Sequence, residues 1–125
     1  MILDTSFIID LLRNNKAAIE KAKVIEQSEI IMTTTISIFE LCQGIETKKE
    51  HEKMEKFVQG LISLELGMRE AKIAGQISRE LRTRGKMINS TDCLIAGIAL
   101  SHHETVLTRD VSHFSKIPNL KVETY

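Results

Sequence analysis

Five short apolar runs punctuate this chain, and segments with helical spacing of their apolar residues lie between them; that alternation constrains the fold more than any other feature. Met1–Leu3, Glu29–Thr35, Leu61–Leu66, Thr105–Thr108 and Asn119–Thr124 read as strands. Phe7–Leu12, Lys16–Glu26, Ile36–Ile45, Lys48–Gly60 and Thr91–Leu100 read as helices, as does a segment carrying Met68, Ala71, Ala74, Ile77 and Leu81 on one face. Strands separated by helices pair in parallel, and a parallel sheet needs helices over both faces. The chain is therefore expected to be one α/β domain spanning residues 1–125.

The helices differ in character. Lys48–Gly60 is charged but keeps a stripe of Met54, Phe57 and Val58, continued by Leu61, so it is expected to be an amphipathic surface helix whose apolar face is ready to contact a second copy. Ile36–Ile45 has little polar surface and is expected to be buried. Thr91–Leu100 is apolar on every side, with Asp92 as its only charge, and is expected to be a buried helix. Gly85, after Arg82-Thr83-Arg84, stands where a helix ends on a left-handed residue.

Seventeen basic residues balance seventeen acidic ones, so no overall positive field draws in nucleic acid and any such contact must be local. Cys42 and Cys93 each lie in an apolar run and are expected to be reduced, buried thiols. The apolar start is interrupted by Asp4 and Asp10, which argues against a signal peptide, and Leu94–Leu100 is far too short to span a membrane. A soluble, cytoplasmic protein is expected, with no membrane partner.

Chemistry concentrates in four acids. Asp4, Asp92 and Asp110 fall at strand ends or helix starts, where ligands gather in an open parallel sheet. Singly, each has an ordinary reading: a helix cap for Asp4, a partner of the helix dipole for Asp92, a turn former for Asp110. Glu40 lies inside an apolar helix, where an unpaired carboxylate is costly, and Gly44 one turn later leaves space beside it. Carboxylates brought to one sheet edge repel unless a cation or protons compensate. Hard oxygen donors without a nearby His or Cys suit Mg²⁺ or Mn²⁺ over softer metals, and such a site suits phosphodiester hydrolysis.

Four stretches carry a specific resemblance: L-D-T-S-F-I-I-D-L-L, T-T-T-I-S-I-F-E-L-C-Q-G, S-T-D-C-L-I-A-G-I-A-L and V-L-T-R-D-V-S-H-F-S-K-I-P-N-L-K-V. In order and coverage they resemble the successive motifs of PIN-domain proteins, and in length the VapC branch of that family. The resemblance implies a PIN-like three-layer sandwich, with a central, mainly parallel sheet of four to five strands flanked by helices. It implies that Asp4, Glu40, Asp92 and Asp110 are catalytic and metal-binding, with Thr5, Ser6 and Thr108 as supporting or substrate contacts. It further implies an Mg²⁺- or Mn²⁺-dependent endoribonuclease acting on single-stranded or structured RNA, a homodimer, and neutralisation by a VapB-like antitoxin in a type II toxin–antitoxin pair. The competing reading is a catalytically silent PIN-like module that binds RNA or a partner chain.

Arg82, Arg84 and Lys86 are candidate phosphate contacts, although cations at that place also complement a helix dipole; Arg13 and Arg109 are further candidates. His102, His103 and His113 read as structural, and Asp10 as facing solvent.

Overall fold

The computed structural model describes residues 1–125. At its centre Ile2–Leu3 form β1, and because successive strand side chains point to opposite faces, these two residues begin two separate cores. Ile2 packs with Met32, Ile95, Ile98 and Val106 on one face, whereas Leu3 packs with Phe7, Ile8, Met54 and Leu107 on the other.

The chain runs β1, α1 (Thr5–Leu12), α2 (Lys16–Ile25), β2 (Met32–Thr34), α3 (Thr35–Gly44), α4 (Lys48–Val58) and β3 (Ile62–Leu64). It continues through α5 (Met68–Thr83), α6 (Ser90–Ser101), β4 (Val106–Leu107), α7 (Val111–Phe114) and β5 (Val122–Glu123). All five strands are parallel, in the order β3-β2-β1-β4-β5, as the alternation of strands and helices required. Ile2 lies opposite both Met32 and Val106, and Leu3 opposite Leu107. From β1 the chain adds strands outward on one side through β2 and β3, then returns to the other side of β1 with β4. The carboxyl ends of β1 and β4 therefore flank the switch point of the sheet, where an open α/β fold forms a crevice.

Helices α5 and α6 cover one face, and Gly97 sets how closely they pack. A Cβ at that position would meet the Glu70 carbonyl oxygen at 2.6 Å and the Ala74 Cβ at 2.9 Å. At the far end of α5, Gly85 takes φ +68°; its N–H donates to the Arg82 carbonyl at 3.1 Å, and Lys86 N–H donates to that of Leu81 at 2.8 Å. Those two bonds complete the Schellman ending expected from Gly85.

Four expectations about burial are corrected. Helix α3 buries only Ser37 and Leu41 and leaves Phe39 56% exposed. In α5 the inward residues are Ala74, Ile77 and Leu81, with Ile73 beside them; Met68 is 76% exposed and Ala71 is exposed, because in the first turn it is Glu70 that meets α6, at Gly97 and Ser101. The apolar stripe of α4 is used within the chain, with Met54 buried and Phe57 and Val58 packed against the same core, so it offers no free contact face. Cys93 is buried as expected, but Cys42 is exposed. No helix is long and apolar enough to cross a membrane.

Candidate active site

Asp4 follows directly on β1 and Thr108 on β4, so adjacent strand pairing alone brings them together at the switch point. Asp4 occupies the N-cap position of α1, yet its side chain makes no cap bond. It accepts instead from the Thr108 hydroxyl at 2.7 Å and the Ser6 hydroxyl at 2.9 Å, both at Oδ2. Thr108 Oγ1 in turn accepts from the Asp110 N–H at 2.9 Å, and Ser6 Oγ from the Arg109 N–H at 3.0 Å. The two hydroxyls thus spend their protons on Asp4 and their lone pairs on the loop after β4. The capping explanation of Asp4 fails, and Ser6 and Thr108 both donate to its carboxylate.

Thr5 serves the neighbouring acid, since its hydroxyl donates to Glu40 Oε1 at 2.8 Å and ties α1 to α3. Glu40 is half-buried, less enclosed than its apolar neighbours suggested. Asp92 enters from the first turn of α6 and is buried, whereas Asp110 is exposed at the start of α7 with no side-chain cap bond. All four acids line one pocket of about 190 Å³, together with Thr5, Ser6, Asn89, Arg109 and His113.

Electrostatics register the crowding. Burial pushes the Asp4 carboxyl above its ordinary range, against the hydrogen bonds from Thr108 and Ser6, and the charge of Asp110 adds to the rise. Asp92 is pushed up to about 6, chiefly by burial, with the charges of Asp4 and Glu40 acting in the same direction and His113 opposing. Ionising both groups together is therefore unfavourable without a compensating charge.

His113 was set aside on sequence, but its Nδ1 lies 3.0 Å from Asp92 Oδ2. A helical turn beginning after Asp110 carries residue 113 back over the acids, so the signal was the three-residue spacing in R-D-V-S-H. Asn89, the N-cap residue of α6, was also missed; it lines the pocket and makes no side-chain cap bond. Asp10 does not face solvent. It is buried, with Oδ1 accepting from Arg109 Nη1 at 2.8 Å and Oδ2 from the Tyr125 hydroxyl at 2.6 Å. Burial and that bond to Asp10 raise the Tyr125 phenol, which stays a donor at neutral pH.

Of the remaining basic candidates, Arg13 lines a groove of about 590 Å³ that meets the acidic pocket at Ile9 and Glu40. Arg82, Arg84 and Lys86 line neither cavity and sit at the C-terminal end of α5, where they complement its dipole.

With the side chains as they stand, no three of these acids and imidazoles are drawn together tightly enough to hold one ion. The donor set nonetheless fits a hard divalent cation: four carboxylates face one pocket, and two of them are raised in pKa, chiefly by burial and in addition by the other acids.

Comparison with known proteins bears on family and fold. The family profile described as PIN domain matches residues 1–120. Ribonuclease VapC19 of Mycobacterium tuberculosis is 30% identical over 121 residues, which is 96% of each chain. The fold is shared with the VapBC2 complex of Rickettsia felis bound to a DNA fragment from its promoter, at TM-score 0.89 and 21% identity over 99% of this chain and 97% of that one. DNA-bound VapBC of Salmonella typhimurium superposes at TM-score 0.85 and 27% identity, over 98% and 96% of the two chains. Motif order, parallel topology and near full-length similarity agree, and the chain belongs to the PIN-domain family, in its VapC branch.

Proposed function

We propose that this chain is a divalent-metal-dependent endoribonuclease and the toxin of a type II toxin–antitoxin pair. The observation that carries the reading is the convergence of Asp4, Glu40, Asp92 and Asp110 on one pocket at the switch point of the sheet. Those four residues are assigned as the metal-binding and catalytic acids, with Mg²⁺ or Mn²⁺ as the ion. When bound, the cation supplies positive charge for the phosphodiester and lowers the pKa of an attacking water.

The chain's own groups prepare for this. Ser6 and Thr108 fix one oxygen of Asp4, and no side-chain hydrogen bond falls on its other oxygen, Oδ1. Thr5 fixes Oε1 of Glu40 in the same manner. His113 orients Asp92. Arg13, on the adjoining groove, is assigned to phosphate contact with an RNA strand entering along that groove.

VapC19 is named a ribonuclease, and the Salmonella relative is found in a VapBC complex. By that similarity the substrate here is RNA and the partner is a VapB-like antitoxin; the reading is completed by a homodimer acting in the cytoplasm. The test is cleavage of single-stranded RNA by the wild type, Asp4→Asn and Asp92→Asn, each with Mg²⁺ or Mn²⁺ and with excess EDTA. Cleavage by the metal-loaded wild type alone is expected. Equal cleavage in all samples would place any activity outside this pocket, and none in any would favour a silent binding module.

A further inference from the structure

Arg109 lines the acidic pocket but is bound to a carboxylate outside the four acids. Its Nη1 donates to Asp10 Oδ1 at 2.8 Å, and the second oxygen of Asp10 accepts from the Tyr125 hydroxyl at 2.6 Å. Tyr125 is itself braced, with its ring edge-on to Phe7 at 4.8 Å between centroids and 79° between planes. The Asp10 side chain is left 11% exposed, whereas that of Arg109 is 57% exposed.

A pair with one half so open to water contributes little to stability, so holding the fold together is a poor explanation for it. Its effect on the pocket is larger. A guanidinium beside Asp4, Glu40, Asp92 and Asp110 has strong reason to pair with them, because bidentate arginine–carboxylate bonds are among the stronger hydrogen bonds in proteins. The backbone N–H of Arg109 is pinned to Ser6, so the side chain cannot leave the neighbourhood; only its direction is free.

We propose that Asp10 and Tyr125 are positioning residues that hold the Arg109 guanidinium off the four pocket carboxylates, so that a divalent cation and not the chain's own arginine meets them. Both oxygens of Asp10 are engaged, one by each partner, so Tyr125 fixes the direction in which Asp10 presents its other oxygen to Arg109. The inference rests on the reading of the pocket as a cation site. It moves Arg109 from a contact with RNA to a group restrained by α1.

Calorimetric titration of the metal-stripped full-length chain with Mn²⁺ tests it, using the wild type, Asp10→Asn, Tyr125→Phe and the double variant Asp10→Asn with Arg109→Gln. Released from Asp10, Arg109 competes with the ion, and Asp10→Asn is expected to weaken Mn²⁺ binding about tenfold, within the usual range for coupled sites. Tyr125→Phe keeps the ring on Phe7 and is expected to weaken binding two- to threefold, on the order of one lost hydrogen bond. The double variant lacks the competing charge and is expected to return to within about twofold of the wild type, which a merely structural role does not produce. A double variant as weak as Asp10→Asn, or an Asp10→Asn variant that binds like the wild type, overturns the proposal. Tyr125→Phe decides the matter if Asp10→Asn does not fold, and wild-type affinity there overturns it equally. A wild type that binds no Mn²⁺ overturns the cation-site reading and this inference with it, whereas the other adverse outcomes leave that reading standing.

Discussion

Replacing Asp92 by Asn should stabilise the metal-free protein, and the size of the gain follows from the crowding at the pocket. The Asp92 carboxyl stands at about 6 in the folded chain against an ordinary value of 3.8. A raised folded pKa means that the folded state holds the proton more tightly than the unfolded one. The ionised carboxylate therefore costs stability at every pH above about 6; the cost shrinks as pH falls through that value and is gone below 3.8. A shift of about two units corresponds to roughly 3 kcal/mol for a fully enclosed group, and solvent screening at this partly open carboxylate reduces that to about 2 kcal/mol. Asn removes the charge but weakens the contact with His113, at a cost of about 1 kcal/mol. The net expectation is a gain of about 1 kcal/mol at pH 8, or roughly 4 °C in melting temperature for a domain of this size. Melting of both proteins in EDTA at pH 8, 6 and 4 should show the gain at pH 8 and its disappearance at pH 4. Divalent cation at about ten times its dissociation constant should add roughly 1.4 kcal/mol to the wild type and nothing to the variant. An Asp92→Asn protein that melts lower than the wild type at pH 8, and still responds to metal, would show that Asp92 supports the α6 terminus and not an ion.

Gly97→Ala should lower stability by about 1–2 kcal/mol in thermal melts: the helix propensity gained is about 1 kcal/mol, but overpacking against the Glu70 carbonyl and Ala74 costs more. Unchanged or increased stability would mean that α5 and α6 separate at little cost. Sedimentation at tens of micromolar should give about twice the 14.1 kDa of one chain, because Phe39, Ile62 and Met68 leave large apolar side chains in water. A monomer at that concentration would refute the homodimer.

The sheet was legible because its signals are local. Ile2 and Leu3, or Val106 and Leu107, are apolar on both faces of a strand, which only a doubly covered sheet allows, and the helices between them force the parallel order. What periodicity could not settle was how far each helix lies over the sheet. Helix α3 carries a single charge, Glu40, yet it exposes Phe39; α4 is heavily charged, yet sinks Met54 into a core. Hydrophobic pattern records which side of a helix faces inward, but the depth of burial depends on neighbours that are distant in sequence.

The same distinction separates the parts of the site that were read from those that were missed. Asp4 and Thr108 each end a central strand, so strand adjacency carries them together, and Ser6 follows within the first turn of α1. The Asp10–Arg109 and Asp10–Tyr125 contacts span 99 and 115 residues between a helix, a loop and a position two residues past the last strand. No periodicity relates such positions, and Asp10 alone looks like any acid on a surface helix. Its burial nonetheless has a requirement that sequence reasoning can use: a carboxylate taken out of water needs donors. Of the basic residues near the acids, Arg109 is the one whose backbone Ser6 already fixes beside α1, so the partner of Asp10 follows once the β1–β4 pairing is granted. The step that sequence reasoning lacked was to extend the pairing one residue past Thr108, where the loop that supplies Asp110 also supplies the cation that must be kept from it.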